Sequence, residues 1–205
     1  MKLASLFAVG AGIVFCISVW AHDAHRHHQD AASSEAGTVK VFLSDGPLLD
    51  QAGRLVRLPK DVIGERIAVV NFVYTACTTV CPISSASLAQ LQERLGAVVG
   101  SEVVLVSITV DPVRDTPQRL RDYAGRFGAR EGWVWLTGAK RDVDAVLKGF
   151  GAYTSNFEDH PTMVLVGDAR GGWTRFFGFP SVELLLSRAA AASAARRDLD
   201  NHAKE

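Results

Sequence analysis

The chain has 205 residues and a mass of 22.1 kDa, enough for one ordinary domain with a leader or tail and too little for two full domains. Hydrophobic residues make up 48% and charged residues 21%, a globular composition that excludes wholesale disorder. Lys and Arg number 22 against 22 Asp and Glu, so a formal net charge of 0 supplies no long-range pull toward nucleic acid.

In chain order, Lys2 precedes an uncharged run of 19 residues from Leu3 to Ala21. It is longer than the roughly 7–15-residue core of a secretory signal. It is close to the length of about 20 residues that spans a bilayer. Val19-Trp20-Ala21 offers a cleavage pattern, so residues 1–21 are expected to be a removed signal or a retained membrane anchor. Cys16, after Val14-Phe15, reads as a small apolar residue of that leader. Lys2 is the only charge before the run, which keeps the amino terminus inside and places the body outside, in a bacterial periplasm, soluble or tethered to the outer face of the inner membrane. Residues 22–37 show no apolar periodicity and read as a flexible linker. Its histidines, His22, His25, His27 and His28, form a weak auxiliary metal tract or a solvated spacer.

A folded body is expected over 38–197, with a charged tail at 198–205. Thr38–Leu43 and Arg54–Leu58 read as short strands around Asp45-Gly46-Pro47 and Ala52-Gly53 turns. Ile67–Tyr74 and Val103–Val110 are nearly continuous apolar runs, the pattern of strands buried on both faces. A helix over Pro82–Val98 follows the first, with Leu88, Leu91 and Leu95 on one side. Thr116-Pro117 opens a helix carrying Leu120, Tyr123 and Phe127. Trp133–Leu136 is a strand, Arg141–Phe150 a helix, Met163–Val166 and Trp173–Phe177 a hairpin, and Ser181–Arg197 a last helix. The alternation predicts an α/β fold, three layers with a central mixed sheet that is parallel in its middle. The order βαβ then ββα is that of a thioredoxin-like domain with an inserted strand and helix.

Three cysteines are too few for a disulfide-stapled scaffold or a multi-cysteine zinc module. Cys77 and Cys81 lie where a buried strand passes into a helix, at the edge of the sheet where open α/β proteins do their chemistry. Their spacing suits a disulfide or two thiolates on one metal, and a helix amino terminus favours thiolate in either case. In a thioredoxin-like sheet, the strand after His160-Pro161-Thr162 lies beside the strand leading to the cysteines, and the proline there is typically cis. Pro161 is then expected to aim His160 at Cys77 and Cys81. Two thiolates and an imidazole select Cu(I) and also permit Cu(II), whereas zinc wants a fourth ligand. His160 is the one histidine within the predicted body. Asp159 either orients the imidazole or caps a turn.

The motifs Thr75-x-Cys77-x-x-x-Cys81-Pro82, Val110-Asp111-Pro112-x-x-Asp115-Thr116-Pro117, Trp135-Leu136-Thr137-Gly138 and Asp159-His160 occur in that order, over roughly residues 40–187. Together they resemble the Sco/SenC family of copper-binding, thioredoxin-like assembly factors. The resemblance implies copper held by Cys77, Cys81 and His160. It also implies a role in maturing the dinuclear copper site of a cytochrome oxidase, whose copper-site subunit or another periplasmic thiol or copper protein is the partner. Asp111 is a supporting residue, and Asp115-Thr116-Pro117 reads first as helix capping. Thr78-Thr79 stands where many family members carry Pro-Asp, which removes negative charge beside the thiolates. Two other readings stay open: a thiol–disulfide oxidoreductase using the Cys77/Cys81 pair, and a periplasmic copper-resistance protein.

Overall fold

Residues 36–202 are described by a computed structural model. The leader, Cys16 and the histidines at 22, 25, 27 and 28 lie outside the described residues. The strands are β1 (Ala36–Val39), β2 (Pro47–Asp50), β3 (Leu55–Arg57), β4 (Ile67–Val73), β5 (Val103–Thr109), β6 (Trp133–Thr137), β7 (Met163–Asp168) and β8 (Gly171–Phe177). The α-helices are α1 (Val80–Leu95), α2 (Pro117–Gly125), α3 (Lys140–Phe150) and α4 (Val182–His202).

All eight strands form one sheet in the order β1-β8-β7-β4-β5-β6-β2-β3. The middle trio, β4, β5 and β6, is parallel, and the flanking pairs are antiparallel. Every residue of β4 and of β5 is buried, because helices cover both faces. Side chains of β4 alternate between the two cores. Ala68, Val70 and Phe72 meet Val143, Val146, Leu147 and Phe150 of α3. Ile67, Val69 and Val73 meet Leu88 and Leu91 of α1, Leu120 and Tyr123 of α2, and Leu185 of α4. The expected three-layer, thioredoxin-like arrangement is the one found.

Several boundaries differ from the sequence reading, each for a local reason. The first strand is Ala36–Val39 rather than Thr38–Leu43; Phe42 instead donates its amide to the Gly149 carbonyl at 3.2 Å. Pro47, read as a turn residue, begins β2, where a missing N–H disturbs the ladder least. The strand read as Arg54–Leu58 is Leu55–Arg57, and the buried Leu58 opens a π-helical turn. The antiparallel β2–β3 pair therefore extends the sheet on the side opposite the closing hairpin. The last helix runs to His202, past the expected end at Arg197, with Arg170 tied to Asp200 on its final turns.

For the chemistry, one register matters. β7 runs antiparallel to β4 with Asn71 opposite Val164. Beyond that pair, β4 leads out to the cysteines and β7 begins just after His160, at the same end of the sheet.

Candidate metal centre

The chain turns sharply after β4: the Cys77 amide donates to the Tyr74 carbonyl at 3.1 Å. Helix α1 then begins at Val80, two residues earlier than the sequence suggested. Its N-cap, Thr79, makes no side-chain capping bond. The Cys77 sulfur takes that part instead, accepting the Cys81 amide at 3.4 Å, one of the helix-start donors that has no partner within the helix. The cysteines thus do not share a helical face. Cys77 sits in the turn before the helix and Cys81 in its first turn. Pro82 follows as the third helical residue, where a missing N–H leaves no bond unmade. Both thiols are free and buried.

Their electrostatics are opposite. Burial raises the Cys77 thiol, but hydrogen bonds from the Cys81 side chain and from the Cys81 and Thr79 amides outweigh it and bring its pKa down to about 7. Cys81 is pushed up to about 12 by its own deeper burial, by its bond to Cys77, and by the negative charges of Cys77 and Asp115. One sulfur is poised as thiolate near neutral pH and the other is held as thiol.

The loop is anchored by a residue read from sequence as a cap. Thr116 does cap α2, accepting the Arg119 amide at 3.3 Å. Asp115 instead turns inward and is 1% exposed. Its carboxylate accepts from the Thr75 amide at 3.1 Å, the Thr75 hydroxyl at 2.6 Å and the Thr109 hydroxyl at 2.6 Å. Its carbonyl accepts from the Thr137 hydroxyl at 2.7 Å. Asp115 therefore fixes the start of the cysteine loop to the ends of β5 and β6. Nothing local in the sequence distinguishes it from an ordinary capping aspartate, because its partners lie up to 40 residues away.

His160 ends a 3-10 turn, Phe157–Asp159, whose N-cap Asn156 accepts the Glu158 amide at 3.3 Å. The ring is buried, 8% exposed. Its Nδ1 lies 2.8 Å from the Phe157 carbonyl oxygen. A carbonyl only accepts, so Nδ1 carries a proton, and in the neutral ring the lone pair is on Nε2. The expected cis bond at Pro161 is absent: no peptide bond among the described residues is cis. His160 instead has φ −62° and ψ 140°, the extended backbone that a residue before proline favours. Asp159 does not orient the imidazole. It is exposed and accepts from the Asn156 side chain at 3.1 Å within the turn. Asp111 is buried and forms an ion pair with Arg114.

Tyr74 touches both halves. Its ring meets His160 edge-on, with centroids 5.9 Å apart, and the Phe157 ring at 5.1 Å. Its hydroxyl pKa is raised to about 12 by burial, by a hydrogen bond with Cys77 and by the charges of Cys77, Cys81 and Glu158. Among the described residues no three His, Cys, Asp or Glu side chains are gathered closely enough to hold a metal. The structure brings the sulfur pair together and sets His160 one tyrosine away, without closing the three into one ligand set. Two sulfurs and an imidazole nitrogen are donor chemistry suited to copper.

The SCO1/SenC family model matches residues 39–185. The chain belongs to the SCO1/SenC family. An Arabidopsis thaliana protein, "Protein SCO1 homolog 1, mitochondrial", is 28% identical over 173 residues, 81% of this chain and 50% of that protein. The chain thus spans about half the length of that SCO1 relative. Among solved structures, BsSco, a member of the Sco family of cytochrome c oxidase assembly proteins, superposes with a TM-score of 0.65 at 23% identity, covering 77% of this chain and 96% of BsSco. Arabidopsis thaliana ScoI, solved with copper bound, gives a TM-score of 0.55 at 23% identity, over 77% and 98% of the two chains. These Sco likenesses establish the thioredoxin-like fold.

Two outcomes follow. Iodoacetamide labelling of Cys77 rises through a midpoint near pH 7, while Cys81 stays nearly unreactive across roughly pH 6 to 9; site-resolved mass spectrometry after timed quenching reads both. Asp115→Ala lowers unfolding stability by about 3 kcal/mol, because buried hydroxyls and an amide lose their acceptor; urea denaturation measures it.

Proposed function

We propose that this SCO1/SenC protein is a copper carrier that binds the ion through Cys77, Cys81 and His160 and helps mature the dinuclear copper site of a cytochrome c oxidase. The observation that carries this is the pairing of a thiolate-prone Cys77 with Cys81, beside a buried imidazole whose Nε2 is free. Copper is cargo here. The sulfurs supply the soft donors that favour Cu(I), and the imidazole admits Cu(II). Closing the set requires the His160 turn to approach the sulfurs. Copper is named for the Arabidopsis relative's structure and oxidase assembly for the family of BsSco, which supports extending both to this chain. The uncharged run before the body supports an extracytoplasmic, periplasmic site of action, where the copper-site subunit of an oxidase is the recipient.

A second reading is favoured by the split between the two thiols. A Cys77 near neutrality and a buried, protonated Cys81 suit thiol–disulfide exchange, in which the Cys77 thiolate attacks a partner disulfide and Cys81 resolves the mixed disulfide. Both readings need the cysteines, and only the copper reading needs His160.

Copper titration of the reduced full chain separates them. The carrier reading expects one copper per chain with sulfur-to-copper absorption in the Cu(II) form. Cys77→Ser, Cys81→Ser and His160→Ala each weaken binding by more than about 100-fold, since even the outer partners of metal ligands cost roughly 10–100-fold. A His160→Ala protein with unchanged affinity, still able to form a trapped mixed disulfide, favours exchange.

A further inference from the structure

The Asp-Pro-x-x-Asp motif is only partly explained by Asp115. Its first half, Asp111, lies at the end of β5 and pairs with Arg114. The Arg114 guanidinium lies over the Phe157 ring, 4.7 Å from its centroid. Phe157 packs its ring edge against Tyr74 at 5.1 Å and offers its carbonyl to the His160 Nδ1 at 2.8 Å. Phe157 is therefore held from two sides, by a cation and by an aromatic ring. The backbone atom it carries fixes the imidazole tautomer.

Phe157 is also partly buried against the core and borders open space. It lines a cavity of about 310 Å³ together with Val110, Asp111, Val113, Lys140 and Tyr153. Val113 is exposed there and Tyr153 half-exposed, so this wall does not confine the ring. A cation over an aromatic face is attracted by the ring's negative quadrupole, and Arg114 is the contact that opposes a swing of Phe157 into the cavity. If the ring leaves this seat, the Phe157–Asp159 turn loses its side-chain anchor, and the backbone carbonyl that faces Nδ1 is freed to shift away from the imidazole.

We propose that Arg114, held by Asp111, is a positioning residue for the His160 ligand, acting through the Phe157 ring and its carbonyl to keep Nε2 free for copper. This deepens the copper reading and rests on it. Arg114 touches no donor atom. It works as the outer partner of a metal-binding histidine does, by setting which nitrogen bears the proton and where the ring points.

The test uses the full-length chain and two variants, Arg114→Ala and Phe157→Leu. The Arg114 side chain is 49% exposed, so its loss leaves the core closed. Phe157→Leu keeps the backbone carbonyl and removes the ring, which covers the case in which the alanine variant folds poorly; far-UV circular dichroism checks both. In copper-free protein labelled with 15N, long-range proton–nitrogen spectra report the His160 tautomer. Wild type is expected to show Nδ1–H alone, and both variants a mixture of tautomers. Copper affinity is then expected to fall roughly 10–100-fold in each variant, with loss of the nitrogen hyperfine signature in the Cu(II) spectrum. A folded variant with the wild-type tautomer and wild-type affinity overturns the assignment. If His160→Ala leaves wild-type copper binding unchanged, the copper reading itself fails. The copper-free tautomer still decides whether Arg114 positions the ring: a mixture in the variants supports it and an unchanged tautomer overturns it.

Discussion

The antiparallel pairing of β7 with β4 is the constraint on which the site depends. Strand β4 is buried on both faces and bonded on both edges, parallel to β5 on one side and antiparallel to β7 on the other. An antiparallel neighbour begins where β4 ends. With Asn71 opposite Val164, the segment entering β7 must lie beside the segment leaving β4. That register brings residues 79 positions apart, Cys81 and His160, to one end of the sheet. A slip of one residue would turn every side chain of β7 to the opposite face and exchange Met163 and Leu165 with Val164 and Val166 between the two cores.

Within that frame the local chemistry is built from unmet backbone donors and buried polar groups. The start of α1 has amides with no partner in the helix, and a sulfur rather than a hydroxyl answers one of them, that of Cys81. Hydrogen bonds from the Cys81 side chain and from the Cys81 and Thr79 amides lower the Cys77 pKa, while burial keeps Cys81 protonated. Asp115 supplies the mechanical reference, tying the cysteine loop to β5 and β6 through hydroxyls and an amide. Beside His160, Arg114 lies over Phe157, Phe157 meets Tyr74 edge-on, and Tyr74 meets the imidazole. The thiols and the imidazole are thus held by separate supports that share one residue, Tyr74.

The core and the cysteine loop were legible in the sequence because each has a local signal. The buried strands read as unbroken β-branched runs, and the cysteines stand out by number and spacing. The short edge strands β1 and β3 were misplaced by a few residues and β2 was missed, since three or four residues carry almost no periodicity and Pro47 looks like a turn. The supports of the site were missed for a different reason. Asp115 before Thr-Pro has the pattern of a cap, and only the fold reveals Thr75 and Thr109 as its partners. Arg114 and Tyr74 draw their meaning from Phe157 and His160, more than 40 positions away. The geometry of Pro161 was inferred from the fold type rather than from its neighbours, and the extended conformation of His160 serves the turn with a trans bond.

The central claim is that the two sulfurs and the His160 imidazole close around one copper ion although they stand apart in the copper-free arrangement. X-ray absorption at the copper edge of the loaded full chain tests this most directly. The account predicts two sulfur scatterers and one imidazole nitrogen, with the nitrogen lost in His160→Ala. A spectrum with sulfur donors alone, identical in wild type and His160→Ala, would contradict it.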